Sequence, residues 1–380
     1  MKKKPKRSTM PGRKPMQLYK NKKEYARYLL DKLHQEAEQP LTVMEVCGTH
    51  TVAIARSGLR ELLPETIRLI SGPGCPVCVT DDFDLDLAIA LSRQKGVILV
   101  TFGDMMRVPG TSSSLQEEKG RGADVRVVYS PADALTIARE NPHSQVVFLA
   151  IGFETTVPAV AVTLEQAIQE GLENFSILSL HKLVPPVMKA LLEDAEVKID
   201  AFLNPGHVCT ILGVEPFRFV AEEYGRPCVI AGFDAVDILE ALLMIVEQQK
   251  SGRPKVEIQY RRAVRPEGNQ VAQAYIRKYF IPAPAVWRGI GEVPGSGLQL
   301  RDEYAHLEAR NRFSVEVEPG KRVKGCACGE ILKGLKLPYE CPLFGKVCTP
   351  MRPVGPCMVS SEGSCAAYYR FGREKAGVAR

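Results

Sequence analysis

Long apolar runs are what this 380-residue chain most plainly lacks. The longest, such as 97–100 and 146–151, fall far below the ~20 residues a membrane-spanning helix needs, so no membrane partner is expected. Residues 1–23 hold ten Lys or Arg and no acid, but no apolar stretch follows them. That is unlike a secretory signal, and a cytoplasmic location is expected. Aromatic residues are few, at 7%, with a single Trp. Outside the basic start there is no basic surplus either, because 40 Lys and Arg remain against 44 Asp and Glu, a net of −4. Nucleic-acid modules rely on a basic stripe and stacking aromatics, so no nucleic-acid partner is expected and residues 1–20 read as a basic, disordered extension. A G-x-x-x-x-G-K-[ST] motif is also missing, which leaves P-loop nucleotide binding without support.

What is present is ordinary globular composition, 45% apolar and 25% charged, in a length that suggests two or three domains of ~150 residues. Short β-branched runs at 43–46, 67–71, 97–101, 125–129, 146–151, 176–180, 201–203 and 228–231 alternate with helical patterns. That alternation predicts parallel α/β architecture, and several of the helices open on Pro, whose missing N–H is harmless there. Two echoes suggest similar halves: 97–109 resembles 147–158, and Gly72-Pro-Gly-Cys-Pro-Val-Cys78 resembles Asn204-Pro-Gly-His-Val-Cys209. The expected organisation is two similar parallel-sheet α/β domains, at 21–143 and 144–254, followed by a small irregular C-terminal domain at 255–380.

Eleven cysteines set the functional question. In a reducing compartment they point to metal binding or redox chemistry before structural disulfides. Cys47 and His50 lie at the end of the first expected strand and the start of a helix. That edge of an open sheet binds ligands, and a helix N-terminus is expected to lower a thiol's pKa. The next strand ends in Cys75-Pro-Val-Cys78, a spacing used for reversible disulfides, or alternatively half a zinc site completed by Cys47 and His50. Cys228 reads as a buried small hydrophobe, while Cys209 and His207 follow another strand end and can line the same cleft.

Six further cysteines crowd the C-terminus. Cys326, Cys341, Cys348 and Cys365 give C-x14-C-x6-C-x16-C, with Cys328 and Cys357 as a further pair. Four thiolates can hold a [4Fe-4S] cluster, and the intervening glycines and prolines favour a compact irregular wrap. A zinc module or a three-disulfide knot are the other readings. Zinc sites prefer close pairs two to four residues apart, and a knot suits an exported chain.

These residues resemble the HypD family of hydrogenase maturation factors. The resemblance rests on Glu45-Val-Cys-Gly-Thr-His-Thr51, Gly72-Pro-Gly-Cys-Pro-Val-Cys-Val-Thr80, Gly152-Phe-Glu-Thr-Thr156, Asn204-Pro-Gly-His-Val-Cys209 and the segment 326–369, over about residues 40–370. The lysine-rich start is not part of that pattern. The resemblance implies a metallocluster-assembly scaffold with redox activity, not a conventional turnover enzyme. It would build the Fe(CN)2CO group of [NiFe]-hydrogenase in a complex with HypC and HypE, HypE delivering the cyanide supplied by HypF, and would serve the hydrogenase large subunit indirectly. Cys47 would hold the cargo iron, shared with a cysteine of HypC and with His50 close by. Cys75 and Cys78 would be the redox pair. Cys326, Cys341, Cys348 and Cys365 would ligate a [4Fe-4S] cluster, with Cys328 and Cys357 as a neighbouring dithiol, resembling ferredoxin:thioredoxin reductase. Electrons would pass from the cluster through the two thiol pairs to the iron. Glu362 is expected to carry a proton, position a partner or cap a helix. A cluster-dependent protein disulfide reductase is the alternative, since it needs the same six cysteines but not Cys47.

Overall fold

The computed structural model describes residues 21–317 and 325–372. The basic extension expected at 1–20 therefore lies outside the described residues. Among the described residues eleven strands form three sheets: β1 (Leu41–Glu45), β2 (Ile67–Ser71), β3 (Val97–Thr101), β4 (Asp124–Val127), β5 (Gln145–Ala150), β6 (Phe175–Ser179), β7 (Ala201–Pro205), β8 (Cys228–Ala231), β9 (Val256–Ile258), β10 (Phe280–Trp287) and β11 (Gly291–Leu300). A five-stranded sheet has the order β2-β1-β7-β8-β9 and a four-stranded sheet the order β4-β3-β5-β6. Every pairing within these two is parallel, and β10 and β11 make a separate antiparallel hairpin.

Two parallel α/β sheets and an irregular cysteine-bearing C-terminus match the expected fold class, but the strands are not shared out in chain order. The chain builds β1 and β2, leaves to complete the whole four-stranded sheet, and returns with β7. The boundary expected at residue 143 thus falls between β3 and β5, which pair directly from Val97 opposite Gln145. The one at 255 likewise separates β8 from its partner β9. A crossover between parallel strands leaves no mark of which sheet it returns to, so sequential order was the wrong guide. The two echoes join strands within a sheet, β3 with β5 and β2 with β7, not equivalent points of two domains.

Alternation along each strand explains the layers, since successive side chains face opposite sides. In β5, Val146, Phe148 and Ala150 pack with the helices Asp133–Glu140 and Val157–Gln169 on the outer face. Val147 and Leu149 face inward, into a core that also holds Met44, Ile70, Phe202 and Ile230 from the five-stranded sheet and Cys328, Cys357 and Cys365 from the C-terminal region. Helices Lys22–Glu36 and Ala235–Ser251 cover the outer side of the five-stranded sheet. Both sheets are buried on both faces, as parallel sheets require.

The hairpin of β10 and β11 falls in a segment whose prolines and glycines suggested only irregular structure. Its Trp287 is fully buried, donates from Nε1 to Ser296 Oγ at 2.7 Å, stacks on Phe153 at 5.9 Å between centroids and bridges to Thr80. One aromatic residue thereby ties the hairpin to both sheets. Next to it, Gly289 has φ +75°, and a Cβ there would stand 2.1 Å from Gly329 Cα. Only glycine fits this backbone and this contact with the cysteine region.

Candidate functional site

The carboxyl ends of both sheets and the C-terminal cysteine region meet at one place. Cys47 caps the helix Gly48–Ser57 directly after β1, with an extended backbone. Its N–H donates to Glu45 Oε2 at 3.2 Å. Burial pushes the Cys47 thiol up to about 12, and the carboxylates of Glu362 and Glu45 add to this, against the helix-end N–H groups of His50 and Thr49. The expectation that the helix terminus would leave a low-pKa thiol is therefore corrected: desolvation and two acids outweigh the terminus.

His50 is fully buried. Its Nε2 lies 2.9 Å from the carbonyl of Gly232, and the ring leans on Phe233 at 4.7 Å. Burial drives it down to about 4, so it is a neutral imidazole at physiological pH. His207, exposed at the end of β7, stacks on the other side of Phe233 at 4.0 Å. Cys209 and Cys228 are fully buried, and burial pushes both thiols upward, as expected for Cys228.

The C-P-V-C loop packs against Cys47 through glycine. A Cβ on Gly74 would stand 2.2 Å from the Cys47 nitrogen, and Gly48 N–H donates to the Gly74 carbonyl at 2.8 Å. Cys75 and Cys78 are joined as a disulfide, with Cα atoms 5.2 Å apart. Cys78 Sγ in turn approaches the carbonyl of Pro356 at 3.9 Å, one residue from Cys357.

All six C-terminal cysteines line one pocket, together with apolar walls that include Ile331, Leu343, Phe344 and Met358. Within it, Cys328 Sγ and Cys357 Sγ are 2.8 Å apart. Cys326 is pushed up first by its hydrogen bond with Cys328 and then by burial, and Cys365 by burial. Among the described residues no group of three or more His, Cys, Asp or Glu side chains converges to hold a metal ion. A cavity of about 310 Å³ opens beside Cys326 and Cys328, with Arg288 on its wall.

Arg288 connects the two thiol regions. Its backbone N–H donates to Val79 O at 2.9 Å, its Nε to Thr80 O at 2.9 Å and its Nη1 to Asp82 at 2.5 Å. Neither it nor Glu45 stood out in the sequence. Glu45 is fully buried, receives the hydroxyl of Thr51 at 2.5 Å, and is raised to about 7 chiefly by burial. The clue to Glu45 was an acid ending a buried strand beside a cysteine. Glu362, expected to carry a proton, position a partner or cap, accepts from Thr49 Oγ1 at 2.7 Å, two residues from Cys47, whose thiol its charge helps to raise. Glu154 of Gly152-Phe-Glu-Thr-Thr156 is almost fully buried. It accepts from Val184 N at 2.8 Å, leaves Oε2 without a partner, and is raised by burial to about 7.

Known proteins resemble this chain over most of its length. The model of the family described as HypD, hydrogenase formation hypA family, matches residues 24–372. A hydrogenase maturation factor HypD from Rhizobium leguminosarum bv. viciae is 50% identical over 338 residues, which covers 87% of this chain and 88% of that protein. Its counterpart from Cupriavidus necator is 48% identical over 345 residues, covering 89% and 91%. The hydrogenase maturation factor HypD of Escherichia coli K12 is 44% identical over 361 residues, covering 95% and 96%. At this identity over nearly the full length of both chains, the protein belongs to the HypD family of hydrogenase maturation factors.

Proposed function

We propose that this chain is the scaffold on which the Fe(CN)2CO group of [NiFe]-hydrogenase is assembled, in a complex with HypC and with HypE as the cyanide donor. The observation that carries the reading is the succession of cysteine sites packed one against the next from Cys47 to Cys357. Gly74 sets the Cys75–Cys78 disulfide against the backbone of Cys47, and Cys78 Sγ meets Pro356 O beside Cys357. Cys47 is the ligand for the cargo iron. A soft thiolate suits electron-rich, low-valent iron; Cys47 is half-buried, and HypC supplies a second sulfur. The Glu362 carboxylate acts on the Cys47 thiol and accepts or returns the proton as the thiol becomes a metal ligand, while buried His50 holds the loop through the Gly232 carbonyl.

Cys328 and Cys357 form the second redox pair. Their dithiol reduces the Cys75–Cys78 disulfide by two exchanges: a thiolate attacks one sulfur of that bond and expels the other as thiolate, and the second thiol then resolves the mixed disulfide. A Cys328–Cys357 disulfide forms, and two electrons and two protons pass to Cys75 and Cys78. The remaining thiols, Cys326, Cys341, Cys348 and Cys365, fit a resident [4Fe-4S] cluster. They are four soft donors spread round an apolar pocket, whereas a single zinc ion needs donors converging on one point. Such a cluster, when bound, supplies single electrons at a potential set by the apolar wall and the charge around it.

The test is the Cys47→Ala chain, coproduced with its partners under anaerobic conditions. Infrared bands of iron-bound cyanide and CO should vanish, while cluster absorption stays at the parent level. A protein disulfide reductase would not need Cys47, so retention of the cyanide and CO bands in this variant contradicts the scaffold role.

A further inference from the structure

A second cavity, of about 550 Å³, lies beyond the carboxyl end of β6, between residues 179–182 and the hairpin of β10 and β11. The thiol line does not reach it. Its size is that of a small-molecule site, and the end of a parallel strand is where open α/β sheets place their ligands. The charges in its lining are lopsided. Five carboxylates face it, from Asp81, Asp84, Glu292, Asp302 and Glu308. Only Lys182 and Arg310 oppose them.

Those two cations are already engaged. Arg310 donates to Asp84 at 2.8 Å and to the Ser179 carbonyl at 3.0 Å, and stands 3.7 Å from Glu308. Lys182 is buried, gives its Nζ to Val286 O at 2.7 Å, and is 3.9 Å from Asp84. Glu308 receives only two contacts of 3.4 Å from the Ser179 N–H, besides one of 3.5 Å from Arg310 N. Burial raises its carboxyl to about 7, the mark of an acid short of positive charge. The second observation is His181. It is 2% exposed, lines the cavity, and has no hydrogen-bond partner at either ring nitrogen. Burial drives it down to about 3, so the imidazole is neutral and one nitrogen offers a lone pair. A buried polar group without a partner costs stability, and a donor arriving from a ligand removes that cost.

The unspent groups are acceptors, so the ligand is a donor-rich cation. A single metal ion does not fit, because no three of these side chains converge among the described residues. The acids sit on separate elements: the start of helix Asp82–Ser92, the hairpin, and the turn at Asp302–Leu307. Between them the wall is apolar, from Ala283, Ala285, Leu298 and Leu300. Phe83, 54% exposed, stands at the rim with its ring available to an ammonium group. We propose that this cavity binds an aliphatic polyamine, with ammonium groups at the separated carboxylates and at His181, and methylenes along the apolar wall.

Isothermal titration of spermidine into the full chain tests this, with putrescine, butylamine and MgCl2 as comparisons at matched ionic strength. The expected result is one saturable spermidine site, tighter than for butylamine and not displaced by MgCl2. Glu308→Gln and the rim double variant Glu292→Gln/Asp302→Asn should each weaken it about tenfold or more, while Glu140→Gln on a distant surface leaves it unchanged. The rim pair is exposed, so its effect does not depend on the packing of Glu308. Absence of saturable binding, equal displacement by MgCl2, or affinities unchanged in both variants would overturn the proposal.

Discussion

At the scale of single residues, burial moves the titration of the site's groups away from their values in water. Cys47 is a thiol raised to about 12, His50 an imidazole lowered to about 4, and Glu45 and Glu154 carboxyls raised to about 7. Glu154 gives the cleanest test, since it is buried with one hydrogen bond and one oxygen unpartnered. Its folded pKa lies above the ordinary 4.5. Between those two values the native chain keeps a proton that the unfolded chain has released, so stability falls as pH rises through that window. Glu154→Gln removes the effect. Urea unfolding at about pH 5 and about pH 8 should show the parent losing on the order of 2–3 kcal/mol relative to the variant across that range; parallel curves would contradict the burial argument. Cysteine spacing made the thiols legible from the sequence. The contacts that set their chemistry were not, because Glu362 reaches Thr49 across 313 positions and Phe233 reaches His50 across the whole inserted sheet.

At the scale of elements, local pattern predicted well and partnership poorly. The strands expected at 67–71 and 97–101 are β2 and β3 as found, and helix Asp82–Ser92 opens on Asp81, which caps it. Both follow from β-branched runs and capping chemistry, which are local. The hairpin was hidden by its own composition. Pro282 and Pro284 sit in β10, whose one strand partner among the described residues is β11, so that its other edge tolerates missing donors. Its glycines then serve contacts that the sequence does not advertise. Gly289→Ala forces a Cβ onto Gly329 from a left-handed backbone, so it should lower stability by about 2–4 kcal/mol and expose the cysteine region to alkylation. Unchanged unfolding midpoints and unchanged thiol protection would show that the Gly289–Gly329 contact does not hold that region in place.

At the scale of the molecule, one core joins both sheets to the cysteine region, and the thiol pairs lie along the seam. Breaking the seam chemically, without loosening it, should stop reducing equivalents from crossing. Cys357→Ser leaves the four cysteines of the proposed cluster set in place and removes one partner of the Cys328–Cys357 pair. Reduction of Cys75–Cys78 from the C-terminal side should then slow at least about tenfold, since thiol–disulfide exchange needs both thiols; an unchanged rate would sink the exchange between the two pairs. Among the described residues no helix is long and apolar enough to cross a membrane.

The most direct test of the scaffold reading is anaerobic purification of the chain with its partners, followed by iron and acid-labile sulfide analysis and an infrared spectrum of the same sample. The account predicts about four irons and four sulfides for the cluster, one further iron, and bands from iron-bound cyanide and CO that depend on Cys47. Zinc without sulfide, and no such bands, would contradict it.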